Sequence, residues 1–258
     1  MFFQVKSYFS FIFKATTKYG VHSPFVYNLI TNCFDGKIKK EDKTILRKYT
    51  NDLSKDNKWI NVDDFGAGSR VFKSNKRKVK DIYNNAGIST KNASLLIRLI
   101  QYFNAKNILE IGTSLGVGTL SLSLGNKNTS ITTLEGCQET QTVAQNYLNK
   151  FSRKNINFVL GNFDETLKPL LDVQYDLIYF DGNHQKEPTI QYFEQCLETI
   201  HNKSVFIFDD IHWSKGMNEA WDYIKNHKKV TLTIDTFYWG IVFFREEQFE
   251  KEHFVLKV

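Results

Sequence analysis

Between residues 107 and 208 the chain carries five short apolar runs, at 107–111, 130–134, 155–160, 175–180 and 204–208, spaced widely enough for a crossover helix between neighbours. Parallel strands need such crossovers, and the sheets they form are buried on both faces, so the pattern predicts an α/β fold with a mainly parallel sheet. Two covering helices show as apolar residues at helical spacing: Leu96, Leu99, Ile100 and Phe103, then Ile190, Phe193, Leu197 and Ile200. A further helix is expected around residues 217–227. Residues 230–234 and 240–244 follow too closely for another crossover and are expected to pair antiparallel. Seven strands result, with a hairpin at the end.

Residues 1–85 follow a different rule. Short helical patterns are broken at His22-Ser-Pro24, at the polar stretch 35–43 and at a loop-like stretch 63–69. This predicts a helical extension or lid over residues 1–85 and a sheet domain over residues 86–258. The Phe-rich start is interrupted by Lys6 and Lys14, and no apolar stretch reaches the roughly 18 residues that span a bilayer. No transmembrane segment is therefore expected. Phe2, Val5, Phe9 and Ile12 recur at helical spacing and predict an amphipathic helix packed on the protein itself; a membrane-surface or dimer contact is the alternative. Cys33, Cys137 and Cys196 form no C-x-x-C pair, which fits a reducing cytoplasm. The net charge of +6 comes from lysines spread along the chain, so nucleic acid is not indicated. The densest basic stretch, residues 73–80, reads as a solvated turn or helix start, with a phosphate-binding patch as the alternative.

The first apolar run ends in Gly112-Thr-Ser-Leu-Gly116-Val-Gly118. A strand, a tight turn and a helix start of this kind let a nucleoside-containing cofactor approach the main chain. A second glycine loop, at residues 64–69, comes after the polar stretch 51–58, which cannot supply a buried strand; Gly66 and Gly68 are read as a turn that helps to cover the site. In an open parallel sheet the ligand lies at the carboxyl ends of the strands. Here those ends carry Glu110 and Gly112, then Glu135, Asn162, Asp181, and Asp209-Asp210. Glu135 stands about twenty residues beyond the loop, where a carboxylate can accept both hydroxyls of a ribose. The glycine spacing differs from G-x-G-x-x-G and argues against a dinucleotide.

The segments Leu109-Glu-Ile-Gly-Thr-Ser-Leu-Gly116, Leu134-Glu-Gly136, Gly161-Asn-Phe163 and Tyr175-Asp-Leu-Ile-Tyr-Phe-Asp-Gly-Asn-His184 resemble the successive motifs of class I S-adenosylmethionine-dependent methyltransferases. Within that superfamily the arrangement is most similar to O-methyltransferases of the catechol and caffeoyl-CoA kind. The resemblance covers residues 85–258 and implies a Rossmann-like seven-stranded sheet with a reversed last strand. It implies that Glu110, Gly112, Thr113, Ser114 and Gly116 surround the methionine part, that Glu135 and Gly136 border the ribose, and that Asn162 and Phe163 border the adenine. An aspartate often stands in the family where this chain has Asn162. Asp181 and Asp209 would end neighbouring strands, so with Asp210 they would offer oxygen ligands to Mg²⁺. His184 stands where the family often carries a basic lysine, and histidine can take a proton near neutrality; Asp181 and His184 are thus the catalytic candidates. His212 and Trp213 are candidates for an acceptor pocket. The reaction implied is in-line transfer of a methyl group to a small-molecule hydroxyl. Nitrogen methylation of RNA or protein, or cofactor binding without turnover, are the alternatives; a homodimer is compatible with each.

Overall fold

The computed structural model describes residues 2–63, 68, 72, 74–153 and 155–257. The chain opens with helix α1 (Phe2–Lys14), α2 (Pro24–Leu29), a π-helical turn (Ile30–Phe34) and α3 (Lys40–Leu53). A small antiparallel hairpin, β1 (Trp59–Asn61) and β2 (Lys76–Lys78), leads into α4 (Val79–Ala86) and α5 (Thr90–Phe103). Then strands and helices alternate: β3 (Asn107–Ile111), α6 (Val117–Gly125), β4 (Ser130–Glu135), α7 (Gln138–Lys150), β5 (Ile156–Leu160), the short α8 (Phe163–Thr166), β6 (Leu177–Phe180), α9 (Lys186–Cys196), β7 (Val205–Phe208) and α10 (Lys215–Asn226). The chain closes with β8 (Leu232–Asp235), β9 (Gly240–Phe243) and β10 (Glu252–Val255).

The large sheet has the order β10-β8-β9-β7-β6-β3-β4-β5, in which β9 alone runs against its neighbours. The expected seven strands and the antiparallel pairing of the final two are present. An eighth strand, β10, is added in parallel register at the edge beside β8. It escapes a reading of apolar runs because Glu-His-Phe-Val is half-polar and only partly covered. The β1–β2 hairpin was hidden for a similar reason. Its second strand is Lys-Arg-Lys, in which Arg77 is buried and stacks 4.8 Å from the Phe72 ring, while Lys76 and Lys78 lie over Trp59. The basic stretch expected to be a turn or helix start thus holds a bend at residues 74–75, the strand β2 and the first two residues of α4; Lys73 lies outside the described residues.

Successive residues of β6 and β7 feed opposite cores. Leu177, Tyr179, Val205 and Ile207 face one apolar cluster, and Ile178, Phe180, Phe206 and Phe208 face the other. This two-sided burial explains their continuous apolar runs. The first cluster is shared with α2 and α5, the second with α9 and α10, and a third joins α3, α4, α5, α6 and α7. Residues of the first 85 positions thus enter two of the three clusters.

One expectation is inverted. On α1 the side chains of Val5, Phe9 and Ile12 do not pack on the protein: they are 51%, 59% and 37% exposed. Phe11 is buried instead, and with Tyr8 it contacts the Phe237 ring. Helical periodicity states which residues share a face, not which way that face is turned. The side chain of Phe2 lies outside what is described.

Candidate active site

From β3 the chain moves through β4 to β5 on one side, then returns to continue through β6 and β7 on the other. The order therefore reverses between β3 and β6, and the crevice beyond the carboxyl ends at such a point is where an open α/β sheet takes its ligand. A cavity of about 360 Å³ lies there, within the range of roughly 300–1,000 Å³ typical of small-molecule sites. Its walls come from the loops after the strands: Gly112 and Ser114 after β3, Glu135 and Gly136 at β4, Asn162 and Phe163 after β5, Asp181 and His184 after β6, Asp209 and Asp210 after β7. Trp213 also faces it. The side opposite the sheet is supplied by Val62, Gly68, Phe72 and Arg77 from the hairpin region and by Ile82, Asn85 and Ala86 of α4. Gly66 lies outside the described residues.

The β3 loop is shaped by close approach. Gly112 has φ +108°, and a Cβ there would meet the Asp181 carbonyl oxygen at 2.3 Å. Its amide and that of Thr113 both donate to the Leu134 carbonyl at 3.0 Å, which ties the loop to β4. Ser114, at φ +46°, then turns its amide toward Glu135. Glu135 Oε2 accepts from Ser114 N at 2.8 Å and Oε1 from Cys137 N at 2.9 Å. These two amides fix the orientation of the carboxylate.

Glu110, Thr113 and Gly116 were expected around the ligand but are not among the residues lining the cavity. The Glu110 carboxylate is fully buried and accepts from the hydroxyls of Thr119 and Thr133, the latter at 2.6 Å. Its Oε1 has no partner, and burial pushes the acid up to about 8 despite both hydroxyls. Folding therefore keeps a proton that the unfolded chain releases near pH 4.3. The stability this gives is full below that pH and is lost as the pH rises to about 8. We expect Glu110→Gln to gain on the parent with rising pH, by a few kcal/mol between pH 5 and 8. Urea midpoints at both pH values measure it; a constant difference between the two proteins would contradict it.

On the far wall, Asp181 and Asp209 follow the neighbouring strands β6 and β7. Tyr179 Oη donates to Asp181 Oδ2 at 3.1 Å. Loss of water pushes Asp181 up to about 7, with the charges of Asp210 and Glu110 adding to it, although 24% of the side chain still faces the cavity. Asp209 is raised well above the carboxylate range, first by burial and then by Asp181 and Asp210. Like charges brought together raise a carboxyl in this way. Among the described residues no three His, Cys, Asp or Glu side chains are placed to hold a metal ion. The Mg²⁺ site expected of Asp181, Asp209 and Asp210 thus gains no support from these residues.

Three further residues here stand in left-handed backbone: Asn183 at φ +69°, His184 at φ +39° and Asp210 at φ +56°. Each such conformation costs about 1–3 kcal/mol and persists where the surroundings enforce it. Asn183 Nδ2 donates to Tyr192 Oη at 3.3 Å, and Tyr192 Oη donates to Asp164 at 3.1 Å. His184 Nε2 comes within 3.7 Å of Asp181 Oδ1. Asn162 caps α8 by accepting from Asp164 N at 3.1 Å, and the Phe163 ring packs edge-on against Tyr192. Sequence reasoning missed Tyr192 and the α4 wall; Tyr192 lies on the face of α9 that carries Phe193, which is a core signal. His212 is held apart from the cavity wall, between Asn218 at 2.6 Å and Asp235 at 2.8 Å.

The strand order, the reversed β9 and the cavity at the switch point define a Rossmann-like α/β fold. Residues 109–211 match the family model described as a methyltransferase domain, which bears out the resemblance carried by the motifs. Solved structures share the fold. The S-adenosylhomocysteine-bound methyltransferase PaMTH1 of Podospora anserina is 15% identical over 88% of this chain and 97% of its own, with a TM-score of 0.62. The O-methyltransferase TomG of Streptomyces achromogenes, involved in tomaymycin synthesis and solved with S-adenosylmethionine, is 15% identical over 84% and 95%, with a TM-score of 0.59. An O-methyltransferase of Bacillus cereus in complex with S-adenosylhomocysteine is 17% identical over 85% and 97%, with a TM-score of 0.54. No curated protein matches the chain in sequence.

Proposed function

We propose that this protein transfers the methyl group of S-adenosylmethionine to a hydroxyl of a small molecule. The observation that carries the proposal is that the amide-oriented Glu135 carboxylate and the Asp181–His184 pair line one and the same cavity. The cofactor, when bound, supplies an electrophilic methyl group on a sulfonium. The cradle fits it: Gly112 leaves room that a Cβ would fill, Glu135 presents an acid for ribose hydroxyls, and Asn162 with Phe163 offers an amide and a ring for a base. Gly136 lines the same cavity beside Glu135, while Glu110, Thr113 and Gly116 shape the loop from behind. Three solved proteins of this fold carry S-adenosylmethionine or S-adenosylhomocysteine, and two of them are named O-methyltransferases, which supports the same donor and an oxygen acceptor here.

His184 takes the proton of the acceptor hydroxyl as its oxygen attacks. Asp181, within reach of the imidazole, stabilises the charge that forms. Most of the rate comes from holding acceptor and methyl carbon in line within a walled cavity. The test is calorimetric titration with S-adenosylmethionine and with S-adenosylhomocysteine, followed by release of S-adenosylhomocysteine in the presence of phenols and other hydroxylated small molecules. Saturable binding of both ligands and acceptor-dependent release are expected. No heat from either ligand would overturn the proposal.

A further inference from the structure

Helix α1 is built with its apolar stripe outward. Val5, Phe9, Ile12 and Phe13 follow the spacing i, i+4, i+7, i+8 that lines one helix face, with Tyr8 at its edge, its ring 5.0 Å from that of Phe237. All five are exposed, Phe9 to 59% and Phe13 to 88%. The face turned to the protein carries Phe11, half-buried Phe3 and two polar residues, Gln4 and Ser7. A soluble domain gains nothing from presenting its larger apolar side chains to water, and contiguous patches of this kind mark contact surfaces. We propose that this face of α1 docks in the interface of an anionic lipid surface.

Charge selects that occupant. α1 carries Lys6 and Lys14 and no acid, and residues 1–34 contain no Asp or Glu at all. The first acid, Asp35, is paired with Lys18 at 2.7 Å, so it does not offset the two helix lysines. Lys6 borders the apolar stripe on the helix circumference and is exposed, as is Lys14. A Phe-rich face flanked by lysines suits an interfacial helix, which sinks roughly 5–10 Å below the headgroups while its cations meet lipid phosphates. A second copy of this chain fits less well. A 13-residue helix is about 20 Å long and offers a face on the order of 300 Å². A standard interface buries about 800 Å² per partner. Pairing α1 with α1 would also bring the lysines of two copies together. No helix of the described residues is long and apolar enough to cross a membrane, so α1 would lie on the surface.

The inference is independent of the activity proposed above. Its test is co-sedimentation of the full chain with vesicles of phosphatidylcholine alone or mixed with phosphatidylglycerol. The parent is expected to pellet with the anionic vesicles, less so at high salt, and to remain largely in solution with the neutral ones. Phe9→Glu/Phe13→Glu should lower the bound fraction about tenfold or more, and Lys6→Glu/Lys14→Glu should lower it by a smaller factor. Both pairs are exposed, so unchanged melting and cofactor titration will show that the fold is intact. A parent that stays in solution, a Phe variant that pellets like the parent, or equal binding to neutral vesicles would each overturn the proposal. So would light scattering that finds a dimer abolished by the Phe variant, which would make a second copy the occupant.

Discussion

Glu135→Ala is expected to weaken binding of S-adenosylmethionine and S-adenosylhomocysteine by roughly a hundredfold or more. A hydrogen bond to a charged acceptor contributes about 1.5–3 kcal/mol, and about 1.4 kcal/mol is a factor of ten. Two ribose hydroxyls donating to one carboxylate therefore account for at least about 3 kcal/mol. The geometry supports spending both bonds there, because Ser114 and Cys137 amides already hold the two oxygens in place before any ligand arrives. Removing the carboxylate also leaves those amides without their acceptor, so the Ala variant alone mixes two effects. Glu135→Gln separates them: its amide oxygen still accepts one backbone N–H, and one hydroxyl contact becomes neutral. An intermediate loss of about tenfold, with melting close to the parent, is expected of Gln. Calorimetry of the three proteins decides it. Parent-like affinity in Glu135→Ala would remove the ribose role.

The strands that build this site were legible because their two-sided burial leaves uninterrupted apolar runs, as in Leu177–Phe180 and Val205–Phe208. The acids that follow such runs were legible for the converse reason, since a carboxylate ending a buried strand needs an environment of its own. What escaped was whatever depends on the third dimension. Asp181 and Asp209 were correctly expected side by side, yet strand spacing does not state whether a proton or an ion lies between them. Glu110 has the same strand-end signature as Glu135, but its pleat position points it beneath the loop toward Thr119 and Thr133. The hairpin wall could not be seen, because Arg77 becomes buried only by stacking on Phe72, five residues earlier. On α1 the period was right and the direction was reversed, since inward contacts with Phe237 come from the opposite flank of the helix.

His184 is expected to carry the proton transfer, and replacing it with asparagine should lower kcat by roughly a hundredfold to ten-thousandfold, the usual contribution of a positioned general base. Asparagine is the informative substitution because His184 stands at φ +39°, directly after Asn183 at φ +69°. Asparagine enters left-handed backbone more easily than other non-glycine residues. The loop, held through Tyr192 and the His184 amide's bond to Gly182, should therefore keep its shape while losing its base. Affinity for S-adenosylhomocysteine should stay within about a factor of three of the parent, a change under roughly 1 kcal/mol. The expected signature is thus a fall in kcat with the cofactor titration unmoved, measured as S-adenosylhomocysteine release at saturating donor. Added imidazole should restore part of the rate in the smaller His184→Gly, where the cavity leaves room for it, and should do nothing for the parent. Equal loss of affinity and rate in His184→Asn would instead make the residue part of the cofactor wall. Full turnover in His184→Asn would move the base elsewhere on the same wall, to the Asp181–Asp209 pair, whose carboxyls burial holds above the ordinary carboxylate range.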